Sequence, residues 1–155
     1  MKKTSYIILI VALAAVLICT GIGLAYLIAS KNDEGLVLEG IGSEYSENVV
    51  IDGLAPGEAR TCLYRGDADS SATFVVKLMS DGGALEPFLR VRIQVGNQVV
   101  YNDTLSGALN REYRADVSNG FVFMVTYSLG EEVGNEAQGA ACAILAQYTL
   151  EGSAK

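Results

Sequence analysis

Between Lys3 and Lys31 the chain carries no charged side chain, and from Tyr6 to Ala29 it is almost wholly Ile, Leu, Val, Ala and Gly. As a helix those 24 residues would extend about 36 Å, against a bilayer hydrocarbon core of about 30 Å. The remaining chain, about 125 residues, has no core large enough to hide such a segment. Residues 1–29 therefore form an N-terminal apolar helix, a signal peptide or membrane anchor. Lys2 and Lys3 precede it, whereas Lys31 is followed at once by Asp33 and Glu34, so the positive-inside bias sends the rest across the membrane. Gly23-Leu24-Ala25 presents small residues at the two positions a signal peptidase inspects, which puts cleavage between Ala25 and Tyr26. The run is longer than the usual signal-peptide apolar region of about 7–15 residues. The alternative is an intact anchor that holds the protein in the membrane through residues 6–29.

The formal charge is -7 over the whole chain, and it becomes -9 when Lys2 and Lys3 leave with the cleaved segment. An acidic domain repels phosphate backbones and anionic headgroups, which excludes nucleic acid and peripheral lipid as partners. Two cysteines, Cys62 and Cys142, lie in the exported part. They read either as one disulfide or as two buried free thiols acting as small hydrophobes.

After Lys31 the periodicity is that of strands. Phe88 to Val95 alternates Leu89, Val91, Ile93 and Val95 with Arg90, Arg92 and Gln94, and Gly96-Asn97 is a two-residue hairpin signal into Gln98–Tyr101. Ala72–Met79, Arg111–Val117 and Phe121–Leu129 are further strands, the last two flanking a Ser118-Asn119-Gly120 turn. Asn48–Ile51 and Ala59–Tyr64 are short strands around the Pro56-Gly57 turn, and a last long strand is expected from Gln138 to about Leu150. On that strand Cys142, Ile144, Ala146 and Tyr148 share one inward face, as Cys62 and Tyr64 do on theirs. Short strands at intervals of about 8–12 residues indicate an all-β sandwich or barrel over residues 43–155. Residues 30–42 then form a tether, within which Leu36-Val37-Leu38 is apolar enough to be a strand.

Several of these features stand in a recognisable order. They are the apolar segment ending in Leu24-Ala25-Tyr26-Leu27, the Leu54-Ala55-Pro56-Gly57-Glu58 turn, the Phe88-Leu89-Arg90-Val91 strand, and Gly134-Asn135-Glu136-Ala137-Gln138-Gly139 before the last strand. In these the chain resembles the TasA/camelysin (CalY) family of exported Gram-positive proteins, many of which are processed by a SipW-type signal peptidase. The resemblance implies a jelly-roll or Ig-like antiparallel β-sandwich that assembles into matrix fibres, the N-terminal segment of one subunit completing the sheet of the next. Here the donor strand would be Leu36, Val37 and Leu38 through Ile41, and the partner another copy or a paralogous fibre subunit. Pro56, Gly57, Glu58, Gly134, Asn135, Gln138 and Gly139 would be structural: Pro56 fixes φ, Gly57 relieves the turn, Asn135 and Gln138 hydrogen-bond loop backbone, and Gly139 admits the chain close to its neighbour. Leu27-Ile28-Ala29 departs from the family, which has an aromatic and a polar residue there.

The camelysin branch carries a metallopeptidase label, but this sequence has no histidine to hold an open-position zinc or to activate a serine or cysteine nucleophile. No cofactor is expected. Arg65-Gly66-Asp67 reads as part of an exposed loop from Arg65 to Ser71, a turn before an integrin ligand. Asp67, Asp69 and Ser71 start like a calcium loop, but Ala72 and Leu78 break the pattern. Asn102-Asp103-Thr104 is a glycosylation sequon, and Glu131-Glu132 is a solvated pair. The expected function is a non-enzymatic structural subunit of an extracellular matrix or cell-surface fibre. The alternative is a membrane-anchored surface module that binds without polymerising.

Overall fold

The computed structural model describes residues 36–152. The apolar run, the Ala25–Tyr26 cleavage position and residues 30–35 lie outside the described residues. Nine strands form two sheets: β1 (Leu36–Glu39), β2 (Glu44–Asp52), β3 (Ala59–Asp67), β4 (Ala72–Ser80), β5 (Leu89–Val95), β6 (Gln98–Thr104), β7 (Glu112–Val117), β8 (Gly120–Leu129) and β9 (Ala141–Gly152). One sheet has the order β1-β3-β8-β5-β6 and the other β2-β9-β4-β7. Packed face to face, they make the β-sandwich that the alternation requires.

Period-two patterning builds the core. Leu89, Val91, Ile93 and Val95 are buried on β5 while Arg90 and Arg92 are exposed; Cys142, Ile144, Ala146, Tyr148 and Leu150 are buried on β9. Across the middle runs a set of aromatic contacts: Phe74 lies 4.5 Å from Phe123 between ring centroids, Phe123 lies 5.0 Å from both Tyr64 and Tyr148, and Tyr45 stacks on Tyr148 at 6.0 Å. Each such ring, fully buried, stabilises the fold by about 1.5–3 kcal/mol before its conformational cost.

Several turns form as their chemistry dictates. Gly96 takes φ 54° in the β5–β6 hairpin, Asn119 takes φ 54° and Gly57 takes φ 83°. The Ser118-Asn119-Gly120 turn carries the chain between sheets, since β7 belongs to the four-stranded sheet and β8 to the five-stranded one. Elsewhere the structure corrects the sequence reading. The last strand begins at Ala141, not Gln138, since Asn135–Ala137 first makes a 3-10 turn. A one-turn helix, Leu105–Ala108, follows β6; the Thr104 side chain caps it by accepting from the Gly107 N–H, and Leu105 and Ala108 are buried. The sheets are antiparallel with one exception: β1 runs parallel to β3.

Candidate functional site

β8 is flanked along its length, by β3 from Ala59 to Asp67 and by β5 from Leu89 to Val95. β3 is not. On its other side β1 matches only Arg65, Gly66 and Asp67, with a bulge between Leu36 and Leu38. From Ala59 to Tyr64 no strand among the described residues covers the edge of β3. An uncovered strand edge is a template for another strand. β1 itself is short and anchored mainly by Leu38, which is fully buried, whereas Leu36 is 51% exposed. It passes into β2 through a turn in which Gly40 and Gly42 have φ of 77° and 92°, values that favour glycine. The Gly40 N–H continues the ladder to the Asp67 carbonyl at 2.8 Å.

Behind this edge lies a polar seam between the sheets. Glu47 of β2 occupies an inward register position, between Tyr45 and Val49. Its Oε1 accepts hydrogen bonds from the hydroxyls of Tyr64 on β3 and of Tyr148 on β9, the latter at 3.2 Å. A half-buried carboxylate is tolerated here because two phenols solvate it. Burial, and next the bond to Glu47, push the Tyr64 hydroxyl far above the ordinary tyrosine range, and burial does the same to Tyr148. The Tyr127 hydroxyl is buried without a hydrogen-bond partner, and burial raises its pKa too. Nearer solvent, Arg60 Nη1 donates to the Val50 carbonyl at 2.8 Å and so ties β3 to the edge of β2.

The Leu54–Glu58 turn sits where β3 begins, against the end of β8 and the loop that follows it. The Gly57 N–H donates to the Leu129 carbonyl at 2.9 Å, and Glu58 closes its own turn by accepting from the Ala55 N–H at 2.9 Å. A Cβ on Gly57 would sit 3.2 Å from Cγ of Glu131, in the loop that leads to Gly134. Gly139 is required by its φ of 72°, not by crowding: a Cβ there would meet nothing within 4 Å. The close approach belongs to Gly83, where a Cβ would stand 2.4 Å from the Ala141 carbonyl oxygen.

Cys62 and Cys142 lie in opposite sheets and are not joined in a disulfide. The Cys142 Sγ lies 3.3 Å from Ser80 Oγ, and burial, partly offset by that bond, raises its pKa, so it stays a protonated, unreactive thiol at neutral pH. Arg65-Gly66-Asp67 is not in a loop but inside β3, flanked by β1 and β8. Gly66 is buried beneath Phe121, whose Cζ would be 2.4 Å from a Cβ. Such a tripeptide cannot be displayed to a receptor. The Asp67 carboxylate accepts from the Asp69 N–H at 3.1 Å in a local turn. Among the described residues no group of three or more His, Cys, Asp or Glu side chains could hold a metal ion. Glu132 and Glu136 line an open cleft of about 320 Å³ with Arg90 and Thr104.

Sequence reasoning missed Glu47, Arg60 and the open stretch of β3. The first had a signal: Tyr45, Glu47, Val49 and Ile51 share one parity, and only one of them is charged. The open edge had none, since pairing partners are long-range.

The described residues thus form a two-sheet β-sandwich in which no described strand pairs with β3 from Ala59 to Tyr64. No family model matches it, and no curated protein does. Among solved structures it is similar to the periplasmic g-type lysozyme inhibitor PliG of Aeromonas hydrophila, with 8% identity over 76% of this chain and 100% of that one and a TM-score of 0.43. It is also similar to the pre-peptidase C-terminal domain of a Bacillus anthracis collagenase, at 9% identity over 76% of this chain and 96% of that one, TM-score 0.37. A third is the CBM36-1 domain of a multidomain xylanase from the hindgut metagenome of Trinervitermes trinervoides, at 11% identity over 74% and 90%, TM-score 0.31. At these values any function has to be argued from the chain's own residues.

Proposed function

We propose that this chain is an exported, non-enzymatic structural subunit that polymerises by strand donation into a matrix or cell-surface fibre. The supporting observation is the unequal edge of β3: among the described residues, three positions are matched by β1 and no strand pairs with the stretch Ala59–Tyr64. In the single chain Leu36–Glu39 pairs with its own β3. In the fibre the same parallel register is made between neighbours, with the Gly40–Gly42 turn as the pivot and Leu38 filling the neighbour's core. Release of the preceding apolar run by a signal peptidase between Ala25 and Tyr26 frees the segment to move. Partners are further copies or a paralogous subunit, and the place of action is outside the cytoplasmic membrane. The absence of histidine from the sequence argues against the peptidase reading of the camelysin branch.

A second reading is a surface module that stays tethered and does not polymerise; it is favoured by the length of the 24-residue apolar run. N-terminal sequencing of the cell-associated protein together with electron microscopy of the processed product separates the two. A start at Tyr26 and fibres support donation. An intact N-terminus with a strictly monomeric product supports the tether.

A further inference from the structure

β6 ends the five-stranded sheet and β7 ends the four-stranded one, and the two lie against each other along one side of the sandwich. Among the described residues no ladder pairs them, so side chains close that side. Tyr101 of β6 and Tyr113 of β7 meet there, half-buried at the rim of the core, with ring centroids 4.7 Å apart and planes tilted by 51°. Their hydroxyls turn to one short segment: Tyr101 Oη donates to the Thr104 carbonyl at 2.9 Å and Tyr113 Oη to the Gly107 carbonyl at 3.5 Å. The Tyr101 hydroxyl has room only because residue 107 is glycine, since a Cβ there would stand 2.7 Å from it. Gly107 lies in the one-turn helix Leu105–Ala108, a conformation any residue adopts, so space and not φ reserves the position. Burial, and next the nearby Tyr101 hydroxyl, raises the pKa of Tyr113, which stays protonated at neutral pH. The seam between the sheets is different: Tyr64 and Tyr148 are buried, with centroids 5.4 Å apart.

We propose that Tyr101 and Tyr113 are an oxidative crosslinking site, joined by a peroxidase-type oxidant and hydrogen peroxide into an intramolecular dityrosine that staples the two sheets. A ring contact alone would close this side of the sandwich. What suits the pair to coupling is that the hydroxyl ends converge, because a phenoxyl radical carries its reactive spin on the ring carbons beside the oxygen. Each phenol gives up one electron and its hydroxyl proton. The two radicals then form one carbon–carbon bond between those ring carbons. Each bonded carbon loses its hydrogen as a proton while each oxygen regains one, which restores both aromatic rings. The peroxide takes the two electrons and two protons and becomes two waters. The new bond closes the loop of residues 102–112 and restricts the unfolded chain as a disulfide of that span would, yet it does not reverse by thiol exchange. The site lies at the opposite end of the five-stranded sheet from β1, so it is independent of strand donation.

The test treats the exported protein, at low concentration, with a peroxidase and hydrogen peroxide and follows the monomer by mass spectrometry and dityrosine fluorescence. The expected product is a fluorescent monomer lighter by two hydrogen atoms, whose tryptic digest links residues 93–111 to residues 112–114. Tyr101→Phe and Tyr113→Phe keep the rings and their packing, and each should abolish this adduct. Gly107→Ala displaces the Tyr101 hydroxyl and should lower the yield several-fold. The crosslinked wild type should melt at a higher temperature than the untreated protein, whereas treated Tyr113→Phe should show no rise. A wild-type monomer without the adduct, coupling found only between chains, or an adduct that persists in either phenylalanine variant overturns the inference. So does a yield undiminished in Gly107→Ala, or a crosslinked protein that melts no higher than before.

Discussion

β8 and β3 run side by side in one sheet, yet among the described residues β8 is held along both flanks and β3 fully along one. β8 lies between β3 and β5 and carries Phe123, Val125, Tyr127 and Leu129 into the core. β3 contributes Cys62 and Tyr64 to the same core, but among the described residues its outer flank is matched only at Arg65–Asp67. Hydrophobic burial and ladder bonds thus reinforce each other on β8 and separate on β3. A strand in the first situation fixes the fold. One in the second is stable through its side chains while its backbone still invites a partner.

The contrast can be broken most decisively at Phe123, which contacts Phe74, Tyr64 and Tyr148. Phe123→Ala should cost about 3–5 kcal/mol in a denaturant titration. A loss under about 1 kcal/mol would mean that β8 is not the fixed centre. Gly66→Val tests where β3 passes from edge to interior. Its Cβ must displace the Phe121 ring, which packs on Phe74 at 5.4 Å, for an expected cost of about 1–3 kcal/mol. If thermal melting is unchanged, that end of β3 is looser than its burial shows.

The seam between the sheets gives a pH dependence of known sign. Tyr64, Tyr127 and Tyr148 have folded-state pKa values raised above 10.0, chiefly by burial. Their unfolded forms ionise first, so stability should be intact below pH of about 10 and fall as pH rises above it. Alkaline unfolding followed together with tyrosinate absorbance should show the two changes coinciding. Buried tyrosines that ionise while the fold persists would refute the closed seam. The smallest effect is expected at Leu36, half exposed on β1: Leu36→Ala should change the stability of the monomer by no more than about 0.5 kcal/mol, while slowing assembly followed by light scattering. A large loss of stability would place β1 among the fixed elements.

Much of the sandwich was legible in the residues because period-two alternation is a local signal. β5, β8 and β9 show it at every inward position, and Gly96, Asn119 and Gly57 mark turns through the positive φ they take. What the sequence hid was contact between distant segments. Nothing local in Asn119-Gly120 says that the chain changes sheets there, and nothing in Leu36–Glu39 says that it lies parallel to β3. Arg65-Gly66-Asp67 reads as a loop because Gly-Asp is turn chemistry. Only the Phe121 ring over Gly66 explains a glycine inside a strand. The candidate site was half visible: Leu36 to Ile41 stood out as apolar, whereas the stretch of β3 that no described strand pairs with depends on which strands lie elsewhere.

The most direct test of the shared edge uses the register pair Leu36 and Arg65. With Cys62 and Cys142 replaced by alanine, Leu36→Cys and Arg65→Cys are introduced together and the processed protein is treated with a short bifunctional thiol crosslinker under assembly conditions. Strand donation predicts a ladder of covalent dimers, trimers and longer species on a denaturing gel. Crosslinking confined to the monomer, at every concentration and alongside any fibres that form, would contradict it.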